Sequence, residues 1–317
     1  MSCRIAAIDL GTNTARLLIA DLFDDGKFEQ RVLQRSIVRL GGGFCREQGL
    51  ADEAMQRAAD CLKQFSEIIQ QQQVDQVRAV ATSAVRDAVN GQAFIARVLD
   101  ESRIRLQVID GVTEGSIGLA GLLAGLDQQP HQLLMFDVGG GSTEYTFARG
   151  ASPLFVQSLP LGVVRLTEGK PGPTEMTEKI NRELDRLQQQ LDQAEVIVSA
   201  DTLLVGTAGT ATTLAAISLG MSEYDYRRVN NHTLAGAEIR RIYELLLPLS
   251  PPERLRVPGL EQGREDLIIA GCLITLLTLE RFGMHQMQVS DYGLLEGLVV
   301  TDPAVGKKEQ ISRGFMV

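Results

Sequence analysis

Leu133-Leu134-Met135-Phe136-Asp137-Val138-Gly139-Gly140-Gly141-Ser142-Thr143-Glu144 is the stretch on which the reading of this chain turns. A short apolar run, the pattern of a buried strand, ends on a carboxylate. Three glycines, two hydroxyls and a second carboxylate follow at once. Consecutive glycines let backbone N–H groups crowd around an anion with no Cβ in the way. Asp137 and Glu144 flank that anion hole with negative charge, which makes sense when a divalent cation lies between protein and phosphate. The same Gly-Gly-Gly-Ser-Thr is also good composition for a flexible tight turn. The rest of the chain has to decide between the two.

Working outward, the same grammar occurs twice. Arg4 to Leu10 reads as a buried strand, Gly11-Thr12-Asn13-Thr14 as a turn, and Ala15 to Asp21 and Phe28 to Val38 as two more strands. That first turn carries Asp9, Thr12, Asn13 and Thr14, all able to meet phosphate, metal or water, although Gly-Thr-Asn is equally hairpin chemistry. After the opening stretch, Glu144 to Arg149 and Leu154 to Leu159 make a second meander around Gly150. The pairing of elements predicts an internal repeat. A third small-residue turn, Gly206-Thr207-Ala208-Gly209-Thr210, follows the strand Leu203 to Val205 and runs into a helix reaching Leu219.

Between these turns the chain alternates helix and strand. Arg39-Leu40 leads into a second glycine triplet, Gly41 to Gly43, and Leu50 to Gln73 has helical periodicity. Val77 to Ala81 reads as a strand with Thr82, Ser83 and Arg86 just past its carboxyl end, where open α/β sheets bind ligands. Gly91 to Asp100 is a helix and Leu106 to Ile109 a strand. Thr113 is the expected N-cap of a helix to about Leu126, with Glu114 in its first turn. Four glycines in that helix, Gly115, Gly118, Gly121 and Gly125, cost roughly 1 kcal/mol each and imply close backbone packing. Helices are expected over Leu161 to Glu168 (holding Arg165), Thr174 to Leu191, and Leu234 to Leu247 capped by Asn230 to Thr233. Arg264-Glu265-Asp266 opens an apolar helix, Met287 to Val289 is a strand, and Ser290 to Gly293 starts a last helix. The sum is an α/β protein of mixed sheets flanked by helices. Asp127 to Pro130 is the expected break between domains at 1–126 and 127–302, with the tail 303–317 expected to pack back on the first.

Composition narrows the function. Forty acidic against 31 basic residues give a net charge of −9, against a sequence-independent grip on duplex nucleic acid. Cys3, Cys45, Cys61 and Cys272 are scattered, and the three histidines lie far apart, so no zinc site is expected. Scattered cysteines fit a reducing cytosol. No signal peptide is read at the start. The apolar run Leu267 to Leu279 is shorter than the ~20 residues a bilayer requires, so it is expected as a buried helix. A cytoplasmic protein with no membrane partner is expected.

Those residues carry a resemblance. Asp9-Leu-Gly-Thr-Asn-Thr, Asp137-Val-Gly-Gly-Gly-Ser-Thr-Glu and Gly206-Thr-Ala-Gly-Thr resemble the phosphate motifs of the actin/sugar-kinase ATPase superfamily. Within it the chain is similar to the exopolyphosphatase/guanosine pentaphosphate phosphatase family. Arg39-Leu-Gly, Ala81-Thr-Ser-Ala-Val-Arg86, Gly111-Val-Thr-Glu114-Gly, Leu161-Gly-Val-Val-Arg165-Leu, Arg264-Glu-Asp-Leu-Ile-Ile-Ala-Gly271 and Ser290-Asp-Tyr-Gly-Leu-Leu-Glu-Gly297 match in family order. The resemblance implies two ribonuclease-H-like domains with a cleft between them, in the short form without a further helical domain, and a homodimer. It implies hydrolysis of a terminal phosphoanhydride of inorganic polyphosphate or of guanosine pentaphosphate. Glu114 is the implied general base, with Thr113 standing where many relatives carry an acid. Asp137 and Glu144, with Asp9 a further candidate, would hold Mg²⁺, or Mn²⁺ in its place. Gly139, Gly140, Gly141, Ser142 and Thr143, faced by Thr12 and Asn13, would hold the phosphate. Arg86 would neutralise its charge; Arg39, Arg165 and Arg264 would extend the positive track. Gly206 and Gly209 align with the nucleotide-side motif, or serve as a tight helix–strand turn. A non-catalytic regulator that binds an alarmone or polyphosphate is the alternative.

Overall fold

Ile5 to Leu10 is apolar at every position but Asp9, and the structure buries all six in the middle of a sheet. A strand covered on both faces has no reason to alternate. The structure, a computed structural model, describes residues 2–170, 172–199 and 201–301. In the first of two units, β1 (Ser2–Leu10), β2 (Thr14–Phe23) and β3 (Phe28–Ile37) form an antiparallel meander. Helix α1 (Asp52–Gln71) returns the chain to β4 (Gln76–Ala81), parallel to β1. The short α2 (Ser83–Asp87) and α3 (Gly91–Ser102) then lead to β5 (Gln107–Val108) and α4 (Gly111–Gly125). The sheet order is β3-β2-β1-β4-β5. Ala54, Ala58, Cys61, Leu62 and Phe65 of α1 close one face against Ala6, Ile8 and Leu10.

The second unit repeats the plan. β6 (Gln132–Val138), β7 (Thr143–Arg149) and β8 (Ser152–Leu159) form the meander, and α5 (Val163–Gly169) and α6 (Pro173–Gln193) follow. β9 (Leu203–Thr207) lies parallel to β6. After α7 (Ala208–Ser218) and α8 (Tyr226–Val229) come β10 (Thr233–Ala235), α9 (Gly236–Leu246), α10 (Pro251–Arg254), α11 (Ile268–Arg281) and β11 (Gln286–Val289). The order β10-β11-β9-β6-β7-β8 is the first sheet's order with one added edge strand. The expected repeat is therefore present, as two mixed ribonuclease-H-like sheets flanked by helices. α11 is apolar almost all round and buried along its length, as its composition predicts. Among the described residues no helix is long and apolar enough to cross a membrane.

The structure departs from the sequence reading in three places. The units divide at Ala124/Gly125, and the last helix, α12 (Leu294–Val300), belongs to the first unit, not the second. Leu294, Leu295, Leu298 and Val299 complete an apolar cluster with Ala7, Leu18, Ala20, Val80, Ile109 and Ile117. Arg78 Nη1 donates to the carbonyls of Leu298, Val299 and Thr301 at 3.0, 2.9 and 3.1 Å, satisfying the helix's last acceptors. The tail 303–317 lies outside the described residues. Second, Thr233–Ala235 is a strand paired with β11, and the helix begins only at Gly236. Sheet pairing overrides the local capping pattern, and Asn230 and Asn231 instead donate to the Gly125 carbonyl at 2.7 and 3.0 Å. Third, Ser83–Asp87, to which the sequence reading gives no element, is a turn of helix.

Helix α4 is approached closely by a glycine of α12. A Cβ on Gly297 of α12 would lie 2.0 Å from the Ile117 carbonyl oxygen of α4. Gly297→Ala is expected to destabilise the protein by about 3 kcal/mol, because backbone rather than a flexible side chain has to yield. The urea midpoint at unchanged slope measures it; a shift under about 0.5 kcal/mol contradicts the contact.

Candidate active site

The first unit places its turn at the carboxyl ends of two adjacent parallel strands. Thr12 and Asn13 follow β1, and Thr82 and Ser83 follow β4, with the Thr82 N–H on the Leu10 carbonyl at 3.2 Å. The Thr12 and Ser83 hydroxyls are 2.9 Å apart. The loop after β3 braces this turn from the other side. Asn13 O accepts from Val38 N–H and Arg39 N–H at 3.0 and 2.9 Å, and Thr12 O accepts from Gly41 N–H at 2.8 Å. Arg39 adopts a left-handed backbone there, with φ 45°. Asp9, proposed from sequence as a metal ligand, is instead bound to Arg16, which stands opposite it on β2. The guanidinium donates to Asp9 Oδ2 at 3.1 and 2.7 Å. That partnership competes with any metal.

Glu114 lies in the first turn of α4, as expected, but Thr113 is not the cap. Asp110 is, accepting from the Thr113 N–H at 2.8 Å. Arg86 Nη1 reaches the Ile109 carbonyl at 2.9 Å and Glu114 Oε2 at 3.3 Å. The predicted base and the predicted phosphate-neutralising arginine are therefore in one ion pair. Arg86 orients Glu114. The Thr113 N–H, with Arg86 nearby, holds the Asp110 carboxyl below the usual carboxylate range.

In the second unit, β6 and β7 set Asp137 directly opposite Glu144. Opposed residues on antiparallel strands share a sheet face, so the two carboxylates project on the same side. Glu144, 1% exposed, accepts a hydrogen bond from Ser158 Oγ of β8 at 2.7 Å. Thr207 of β9 stands opposite Asp137 on the other flank, its hydroxyl on the Tyr292 carbonyl at 3.0 Å. The polar row Ser158, Glu144, Asp137, Thr207 runs straight across the sheet. Alternation puts Thr143 on the opposite face. Its hydroxyl donates to the Leu161 carbonyl and is fully buried, which removes it from the phosphate-binding set.

The glycine loop is itself closed and tightly backed. Gly139 N–H donates to Ser142 O at 3.0 Å, so it is not directed at an anion as expected. Among the described residues the N–H groups of Gly140 and Gly141 take no backbone partner, and these two with the buried Ser142 are the candidates left for an anion hole. The start of α5 supports the loop: Val163 N–H bonds Gly139 O, and Val164 and Arg165 N–H bond Gly140 O. Gly162 is required for this fit, since a Cβ there would lie 2.1 Å from Gly140 O. Arg165 itself is exposed on α5.

Of the remaining predicted residues, Gly206 is a packing glycine. It lies inside β9, and a Cβ would meet Met287, Phe136 and Ala211 at 2.9 to 3.2 Å. Gly209, at the start of α7, has the Arg264 guanidinium laid against it, with Nη1 1.8 Å from where a Cβ would be. Arg264 also pairs with Glu261 at 3.1 Å. Asp110, Arg16 and Ser158 were missed from sequence. Asp110 has a signal in its spacing three residues before Thr113; the other two depend on strand register.

A divalent cation fits the second unit's pair. Among the described residues no group of three His, Cys, Asp or Glu is placed to hold a metal. Mg²⁺ needs fewer, since it keeps several waters and binds through one or two carboxylates plus substrate phosphate. Asp137 and Glu144 meet that description.

The chain resembles known proteins over nearly its whole length. The profile of the Ppx/GppA phosphatase family matches residues 22–303. The bifunctional 3-dehydroquinate synthase/phosphatase of Fusobacterium nucleatum is 31% identical over 306 residues, 93% of this chain and 46% of that protein. This chain thus spans about half the length of that relative. Exopolyphosphatase 2 of Mycobacterium tuberculosis is 31% identical over 313 residues, covering 94% of this chain and 98% of that one. The crystal structure of an exopolyphosphatase from Cytophaga hutchinsonii matches with TM-score 0.86 and 29% identity, over 95% of this chain and 98% of the other.

The Asp110 cap gives a pH-dependent test. Its folded pKa lies below the unfolded value, so its contribution is complete above pH ~4 and is lost as pH falls through the folded value. Asp110→Ala is expected to cost about 1 kcal/mol at pH 7. The gap from wild type, followed by thermal melts, should close as the pH falls below ~4; a gap independent of pH contradicts the assignment.

Proposed function

The chain belongs to the Ppx/GppA phosphatase family, and from that premise we propose that it is an exopolyphosphatase, hydrolysing the terminal phosphoanhydride of inorganic polyphosphate and releasing orthophosphate. The relatives named exopolyphosphatase support polyphosphate as the substrate. The observation that carries the reading is Glu114, fixed by Arg86 on the capped first turn of α4.

Glu114 takes a proton from the attacking water. The water oxygen bonds to the terminal phosphorus, the bridging P–O bond breaks, and the shortened chain leaves with the bridging oxygen. Arg86 sets the direction of the Glu114 carboxylate. Gly140 N–H, Gly141 N–H and the Ser142 hydroxyl receive oxygens of the terminal phosphate. Asp137 and Glu144 would hold Mg²⁺, with Mn²⁺ as a substitute. A bound divalent ion supplies charge neutralisation for the phosphate oxygens. Guanosine pentaphosphate presents the same terminal bond and is the second substrate to test.

The experiment is phosphate release from long polyphosphate, tripolyphosphate and guanosine pentaphosphate in Mg²⁺, for wild type and Glu114→Gln. Polyphosphate turnover is expected, with kcat lowered about 10²- to 10⁴-fold in the variant. Undiminished turnover by Glu114→Gln sinks the base assignment. A higher kcat/KM for guanosine pentaphosphate than for polyphosphate overturns the substrate.

A further inference from the structure

Ser83 is 3% exposed and Thr12 7%, and their hydroxyls are 2.9 Å apart. Each hydroxyl brings one proton and can also accept. Their mutual bond uses one proton, so the pair retains exactly one O–H to give elsewhere. Among the described residues neither hydroxyl has a further hydrogen-bond partner.

The direction of that remaining donor is set by packing. Thr12 is β-branched, and such side chains are stiff at χ1. Gly41 lies against it so closely that a Cβ there would be 2.3 Å from the Thr12 methyl, while Gly41 N–H holds the Thr12 carbonyl at 2.8 Å. With the methyl lodged at Gly41, the hydroxyl points to Ser83. The neighbouring Asn13, 9% exposed, has a buried side-chain oxygen with no hydrogen-bond partner among the described residues. A leftover donor and an unpartnered acceptor therefore sit side by side on one turn. A buried polar atom left unpaired costs about 1–3 kcal/mol, which makes the turn a place built for a ligand and not for packing alone.

We infer that Ser83 is a positioning residue for phosphate: it holds the Thr12 hydroxyl so that the pair presents one O–H to a phosphate oxygen. A phosphate oxygen is an acceptor and takes the donor. The Asn13 side-chain oxygen cannot face it, and accepts from a water of the phosphate's hydration shell. The inference rests on the phosphoanhydride substrate proposed above and adds to it a residue outside the glycine loop.

The test is a double-mutant cycle of Ser83→Ala and Thr12→Val. KM and kcat are read for phosphate release from polyphosphate, together with the Kd for tripolyphosphate by calorimetry and the melting temperature. Each single variant is expected to raise KM and Kd about tenfold with kcat within about threefold, and the double variant to go no further, because the two hydroxyls act as one donor. KM and Kd within twofold of wild type in Ser83→Ala overturn the inference. So do effects that multiply in the double variant, as two independent packing losses would. If Ser83→Ala melts more than about 5 °C lower, Ser83→Cys, nearly isosteric and a weak donor, is read in its place against the same limits. If the wild type turns over no substrate, the exopolyphosphatase reading fails by itself. The tripolyphosphate Kd then decides the inference, and absence of wild-type binding overturns it.

Discussion

Two like charges set opposite each other across antiparallel strands are the constraint from which the rest of the second unit follows. Asp137 and Glu144 occupy that position, with Cβ atoms about 4.5–5.5 Å apart by strand geometry. The first unit has the same turn at the same register, but there Asp9 faces Arg16 and the pair closes as a 2.7 Å ion pair. One copy of the repeat neutralises its own carboxylate. The other sets two carboxylates side by side on one sheet face, with Glu144 1% exposed, and this is the donor pair proposed above for a divalent cation. This asymmetry between the two copies is the reason the metal is proposed for the second turn and hydroxyl contacts for the first.

The glycine loop depends on the same strands. Because β6 and β7 pair up to Val138 and Thr143, the chain must reverse over four residues, and Gly139 N–H closes that reversal on Ser142 O. The loop carbonyls turn outward and are taken by the first N–H groups of α5. What remains pointing the other way is the short run of Gly140 and Gly141 amides. Rigidity here comes from backbone against backbone, at Gly162 on Gly140, and a preorganised donor set of this kind costs no reorganisation when charge develops.

Much of this was legible in the sequence. Strand runs ending in a carboxylate, followed by small and hydroxylated residues, gave both turns and the repeat, because a buried central strand cannot hide its apolar run. Glu114 was placed in a helix's first turn by local signals alone. What was not legible depended on register and on long-range contacts. Thr143 looks like a phosphate ligand until alternation turns it to the far face. Asp9 looks like a metal ligand until β2 brings Arg16 opposite. The destination of α12 depends on its apolar face matching Ala7, Leu18 and Ile117, more than 170 residues away in the chain. Thr233 reads as the end of a cap and Leu234 as the start of a helix because nothing local shows that β11 will pair with them.

The contrast between the two carboxylate turns is tested most directly by Mn²⁺ or Mg²⁺ binding, measured calorimetrically with inorganic phosphate present. Wild type should bind, Asp137→Asn and Glu144→Gln should each lose most of the affinity, and Asp9→Asn should bind as wild type does. Binding that survives in Asp137→Asn and Glu144→Gln but is lost in Asp9→Asn would contradict the account.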